Sequence, residues 1–162
     1  MLNQCSLQES LGISFLVFNS GNLFFDQVVE VMLGGKQQSC ECASKNSKII
    51  CTKCNKAKYS LGLILLARIG LDSPEEKYLS VLSDMMKMQS FSGVIGGRPG
   101  KALYLIGVHG DNSYIYLDPH YVQEAQQNIE EIKDSYSCGS FRVCKDKSID
   151  PSFGICYYLR DF

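Results

Sequence analysis

The spacing of apolar and polar positions changes several times along the chain, and each change marks an expected element. Gly12 to Phe18 reads Ile-Ser-Phe-Leu-Val-Phe after the glycine, a nearly continuous apolar run of β-branched and aromatic residues, which predicts a buried strand. Asn19-Ser20-Gly21-Asn22 supplies turn and N-cap residues. Apolar residues then recur at Phe24, Val28 and Met32, and at Phe25 and Val29, the spacing of one helical face, until Gly34-Gly35 ends it. Leu61 to Ala67 predicts a second buried strand. In Ser73-Pro74-Glu75-Glu76, Ser73 can cap a helix, Pro74 suits the first helical position and Glu76 completes a capping box. Tyr78, Leu79, Leu82, Met85 and Met86 continue as an apolar helical stripe. Strands are expected at Phe91 to Ile95, Ala102 to Val108, Tyr114 to Leu117 and Phe153 to Leu159, with a short helix from Val122 to Ile132. Gly96-Gly-Arg-Pro-Gly100 separates the first two of these strands, and His109 to Ser113 turns a hairpin between the second and third. The fold class is α/β, of the α+β type: an antiparallel sheet with flanking helices.

Residues 36–58 break the pattern. Lys, Gln, Ser, Asn and Cys dominate and no period is sustained, which predicts an inserted loop. The loop holds Cys40-Glu-Cys42 and, eight residues on, Cys51-Thr-Lys-Cys54. Two close cysteine pairs are of the type that forms a four-thiolate tetrahedral zinc site. The Cys-x-Cys half and the short intervening loop are less usual, and Lys45, Lys48, Lys53, Lys56 and Lys58 would offset thiolate charge. A structural zinc and a flexible insertion with free thiols are both open.

Composition narrows the function classes. With 45% hydrophobic and 20% charged residues among 162, the chain is globular in kind. Sixteen basic and 17 acidic residues leave a net charge of −1, without the basic excess of a general nucleic-acid or anionic-membrane binder. No signal-peptide flanks and no transmembrane-length run are found; Arg68 interrupts the longest candidate, Leu61 to Ile69. The expectation is a soluble, cytoplasmic protein, in which eight cysteines are free thiols or metal ligands rather than a disulfide framework. Cys138 and Cys144 form a looser pair in a Ser/Gly-rich loop, open to redox linkage or to no role. His109 is expected to be solvent-exposed in its hairpin, and Met85, Met86 and Met88 to pack a helix.

The sharpest chemical feature is Asp118-Pro119-His120, at the exit of a predicted strand. Residues i and i+2 of an extended segment face the same side, and proline biases the residue before it toward that extended form. Asp118 and His120 can therefore stand side by side, the carboxylate orienting the imidazole and stabilising its protonated form. A Cys–His–Asp site needs that arrangement. Taken alone, the tripeptide is also ordinary turn chemistry.

Its surroundings are more specific. Ser92-Gly-Val-Ile-Gly-Gly-Arg-Pro-Gly100, Ala102-Leu-Tyr-Leu-Ile-Gly107 and Tyr114-Ile-Tyr-Leu-Asp-Pro-His120 together resemble the signature of the autophagins, papain-like cysteine proteases that process the ubiquitin-like autophagy modifier. Leu61-Gly-Leu-Ile-Leu-Leu-Ala-Arg-Ile-Gly-Leu71 is similar to the family's leucine-rich strand, and Ile149-Asp-Pro-Ser-Phe-Gly-Ile-Cys156 to its Asp-Pro-Ser segment. The resemblance implies that residues 1–162 are the C-terminal portion of a papain-like peptidase domain, with residues 36–58 as an insertion. His120 would be the general base and Asp118 its orienting acid, with no catalytic cofactor. Arg98, Pro99, Gly100 and Lys101 fall where the family has a loop that covers the active site until substrate lifts it. Gly100 and Lys101 depart from the Pro-Asn-Ser common there.

The family's nucleophile lies in a Gly-Trp-Gly-Cys motif, whereas this chain has no Trp and no cysteine in that setting; Cys5 sits in Asn-Gln-Cys-Ser-Leu. The resemblance thus implies a thiol peptidase region that holds the Asp/His pair and is inactive alone. In full it would cut after the C-terminal glycine of the modifier and release it from phosphatidylethanolamine, meeting the membrane surface only through the lipidated substrate. Two other readings stand beside it: a non-catalytic fragment that binds the modifier, and a small zinc-stabilised interaction domain built on Cys40 to Cys54.

Overall fold

A computed structural model describes residues 11–19, 22–35, 57–122, 124–125, 128 and 137–161. The loop cysteines 40, 42, 51 and 54, Cys5, and most of the helix expected at 122–132 lie outside the described residues. The architecture is mixed α/β, with seven strands in the order β1-β2-β7-β3-β4-β5-β6, and the chain divides into two compact units.

The first unit contains β1 (Ile13–Phe18), α1 (Phe25–Leu33), β2 (Ser60–Arg68) up to Ala67, and the C-terminal part of β7 (Ser152–Leu159). β1 and β2 run parallel, from Ile13↔Ser60 to Phe18↔Leu65, so the sheet is not purely antiparallel as expected. The reason is connectivity: parallel neighbours need a long crossover, and α1 with the residues after it supplies one. α1 buries Val28, Val29 and Met32 and packs on β1. Gly34 caps it at φ 70°, where its N–H reaches the Val31 carbonyl, while the Met32 carbonyl accepts from the N–H groups of Lys58 and Tyr59. Neither β1 nor β2 is buried on both faces as predicted. Leu61, Leu63, Phe18 and Ser14 are buried, but Phe15, Val17 and Leu66 are 40%, 41% and 43% exposed. The Phe15 ring packs against Gly62, where a Cβ would come within 2.6 Å of it.

The second unit, Arg68–Gly154, is an antiparallel meander with, among the described residues, one α-helix and a single 3-10 turn at Asp146–Ser148. β3 (Phe91–Arg98), β4 (Lys101–Val108), β5 (Ser113–Leu117) and β6 (Arg142–Lys145) pair in sequence order. α2 (Glu76–Met85) turns Leu79 and Leu82 inward, followed by Met86, while Tyr78 and Met88 are exposed. The Ser73 capping box does not form. Glu75 is the N-cap, without a side-chain cap bond, because residues 70–74 are drawn into a tight turn closed by the Glu75 N–H to the Ile69 carbonyl. A Cβ on Gly70 would lie 1.9 Å from the Ser73 carbonyl oxygen. Tyr114, fully buried in β5, ties the helix to the sheet: its hydroxyl lies 3.3 Å from both the Leu79 carbonyl and Ser83 Oγ. The expected hairpin at His109–Ser113 is present, closed by the His109 N–H to the Ser113 carbonyl.

The segment predicted to separate β3 from β4 is mostly strand. Pairing continues to Arg98↔Lys101, leaving only Pro99-Gly100 as the turn. Proline's fixed φ followed by Gly100 at +78° is the backbone of a type II turn. Just before it, Gly97 has φ +148°, and a Cβ there would sit 2.0 Å from the Lys101 carbonyl oxygen. The Ser/Gly-rich stretch read as loop contains β6, which places buried Cys144 opposite Tyr114.

Candidate active site

All described parts of the site belong to the second unit. β5 ends at Leu117, and the chain turns at Asp118-Pro119-His120. The Asp118 side chain is 2% exposed, whereas that of His120 is 51% exposed. Asp118 Oδ1 lies 2.7 Å from His120 Nδ1 and also accepts the His120 backbone N–H at 3.1 Å. An ionised carboxylate oxygen can only accept, so the neutral imidazole carries its proton on Nδ1 and keeps the Nε2 lone pair. The two residues expected to stand together do so.

The second carboxylate oxygen has cations of its own. Lys101 Nζ lies 2.7 Å from Oδ2, and Arg142 Nη1 lies 3.8 Å away. Lys101 opens β4 and Arg142 opens β6, so the strands on either side of β5 each bring one positive charge to Asp118. The Lys101 bond foremost, then the imidazole, hold the Asp118 carboxyl well below the ordinary carboxylate range, against the opposing effect of burial. The Arg142 guanidinium stacks 4.4 Å over the Tyr121 ring, and that of Arg98 lies 5.8 Å from the centre of Tyr116. Arg142 escaped the sequence reading because a lone arginine in a polar stretch carries no pattern. For Lys101 the sequence signals only a place in the covering loop that the family resemblance implies.

Beside the pair opens a cavity of about 510 Å³, lined by Tyr116, Asp118, Tyr121, Cys138, Ser140 and Arg142 among others. Cys138 is exposed, and its Sγ is 2.6 Å from the Ser140 carbonyl oxygen. Cys144 is buried, which raises its thiol pKa, with Arg98 pulling the other way. No disulfide joins these two cysteines. Among the described residues no cluster of His, Cys, Asp and Glu is arranged to hold a metal ion, and no helix is long and apolar enough to cross a membrane.

A buried carboxylate 2.7 Å from a half-exposed imidazole, at the exit of a strand in a mixed sheet, has the geometry that acid/base chemistry in nucleophilic hydrolysis requires. Residues 2–162 match the family described as the peptidase C54 catalytic domain, and the chain belongs to that family. The mixed α/β architecture is consistent with the papain-like domain of these cysteine proteases. Among curated relatives, a cysteine protease ATG4B of Oryza sativa subsp. indica is 36% identical over 119 residues, covering 69% of this chain and 25% of the relative. The cysteine protease ATG4a of Arabidopsis thaliana is 36% identical over 97 residues, 57% of this chain and 21% of the relative. The cysteine protease ATG4C of Xenopus laevis is 29% identical over 124 residues, 75% and 27% respectively. The chain thus spans about a quarter of the length of these relatives.

Proposed function

We propose that this chain supplies the general base and its orienting acid to a thiol peptidase of autophagy. The observation that carries this reading is the 2.7 Å contact between the buried Asp118 carboxylate and His120 Nδ1. In this reading, His120 Nε2 draws the proton from a cysteine thiol, and the thiolate attacks the glycine carbonyl of the amide bond that follows the C-terminal glycine of a ubiquitin-like modifier. The imidazolium then protonates the leaving amine, and water releases the acyl group. The same sequence releases the modifier from the amine of phosphatidylethanolamine, in the cytoplasm, at the membrane surface. Arg98, Pro99, Gly100 and Lys101, the end of the β3–β4 hairpin, act as the cover of the site in this reading. The nucleophile comes from outside these 162 residues, so the isolated chain is inactive. Among the described thiols, Cys138 lies against a backbone carbonyl, Cys144 is buried and Cys156 is half-buried in β7.

A chimera tests this: the C-terminal region of the rice relative replaced by this chain, assayed on a modifier carrying a C-terminal reporter. The chimera should cleave the reporter. His120→Ala should lower kcat/KM by about 10³-fold or more, and Asp118→Asn by about 10²- to 10⁴-fold. A chimera that still cleaves at the parent rate with His120→Ala would remove His120 from the mechanism. A folded chimera that binds the modifier without cutting it would favour a non-catalytic binding role instead.

A further inference from the structure

Asp118 has more cation contacts than an orienting acid requires. Oδ1 is committed to His120, through both the ring Nδ1 and the backbone N–H. Oδ2 is committed to Lys101 at 2.7 Å, with Arg142 at 3.8 Å behind it. The backbone dictates this division. Tyr104 pairs with Leu117 where β5 ends, and Lys101, at the start of the same neighbouring strand β4, reaches the Asp118 carboxylate just beyond that end. Lys101 is held there by the two-residue turn, by its pairing with Arg98, and by the close passage of its carbonyl over Gly97.

We propose that Lys101 is a positioning residue of the Asp118–His120 pair, holding Oδ2 so that Oδ1 alone faces the imidazole and taking a share of the carboxylate charge. This rests on the reading of Asp118 and His120 as acid and base, and adds a residue to that site. A carboxylate shared with an ammonium is a weaker acceptor toward its other partner. Lys101 therefore weakens the Asp118–His120 hydrogen bond and leaves the imidazolium less stabilised than an isolated Asp–His pair would. The other charged group facing the carboxylate is Arg142 from β6, which itself lies over the Tyr121 ring; Arg98 from β3 lies over Tyr116 of β5. Lys101 is about half exposed, so its influence is screened but not abolished by salt.

The test uses the 162-residue chain labelled with ¹⁵N-histidine. The Nδ1–H proton of His120 is followed by NMR at low temperature, with His109, the only other histidine, as internal reference. Lys101→Met and Lys101→Gln should each move the His120 Nδ1–H resonance downfield, as the undivided carboxylate binds it more strongly. Lys101→Arg should restore the parent position, because the charge and the reach are kept. In the chimera, Lys101→Met should displace the pH profile of kcat/KM upward, which a loss of packing alone would not do. If both neutral variants fold, by their backbone amide spectra, and leave the resonance in place, Lys101 has no part in the pair and the proposal fails. Asp118→Asn separates this from failure of the underlying reading. If it leaves the His120 resonance unchanged, Asp118 does not orient the imidazole at all; if it moves that resonance while the Lys101 variants do not, only the role of Lys101 is lost.

Discussion

Asp118 is a buried carboxylate ringed by cations, and its ionisation couples the site to the stability of the fold. Its carboxyl titrates well below the ordinary value of 3.8 because Lys101 and His120 favour the charged form. The unfolded chain therefore takes up a proton first as the pH falls. The stabilisation that Asp118 contributes is fully present above about pH 4 and is lost on acidification through the folded-state value. Asp118→Asn should remove that stabilisation at neutral pH and flatten the decline of the denaturation midpoint below pH 4. An unchanged acid slope would mean that the ion pairs are not populated in solution. Tyr114 makes the opposite case. Burial raises its pKa above the ordinary 10.0, so the stability it provides is present below pH 10 and is lost above it. Tyr114→Phe should cost about 1–2 kcal/mol at neutral pH, read from urea unfolding, by removing the hydroxyl contacts to the Leu79 carbonyl and to Ser83, which keep only their bond to each other. At this scale the nearness of Asp118 and His120 was legible in sequence, but strand alternation is not what produces it: β5 ends at Leu117, and a local turn with the His120 N–H on Asp118 Oδ1 brings the two together. The Lys101 and Arg142 contacts were not legible, because they depend on which strands flank β5.

At the scale of elements, most boundaries followed from local signals. The glycine cap of α1, the hairpin at His109–Ser113 and the last strand lie close to where apolar spacing and turn residues put them. Three features did not, each for a tertiary reason. The start of α2 is set by the close approach at Gly70 rather than by the capping chemistry of Ser73. β6 is four residues long with two charged ends, too short to show a period. The turn between β3 and β4 looks like a five-residue loop in composition, yet pairing consumes all but two of its residues. Gly97 is the glycine that this pairing requires. Gly97→Ala should lower stability by about 2–3 kcal/mol, since the methyl group would meet the Lys101 carbonyl and the backbone angle is unfavourable for any other residue. A melting temperature within a degree of the parent would contradict the close packing of that turn. If the thiols of Cys40, Cys42, Cys51 and Cys54 hold zinc, metal analysis of the purified chain should find close to one ion per chain, released by chelator; far less would leave a plain insertion.

Across the whole molecule, the pattern of expected strands and helices placed the chain among mixed α/β proteins, and the seven-stranded sheet agrees. The parallel β1–β2 pair was hidden, because strand direction depends on how the intervening segment returns and not on the strands themselves. Their predicted burial also failed in part. Phe15, Val17 and Leu66 share one face of the parallel pair and are each about two-fifths exposed. Such a patch on an isolated chain promotes association. Phe15→Thr with Val17→Thr, which keeps strand propensity, should raise the monomer fraction in sedimentation experiments at micromolar concentration, without altering the NMR signals of His120. An unchanged distribution would place the sticky surface elsewhere.

The Pro99-Gly100 turn works as a reading frame. Its two residues set the phase in which β4 is read against β3, and one added residue would turn Lys101 to the opposite face of the sheet. Related chains can therefore vary the chemistry of this turn freely while its length is held fixed. A lineage that changed the length would exchange the charge beside Asp118 without mutating any residue that touches it.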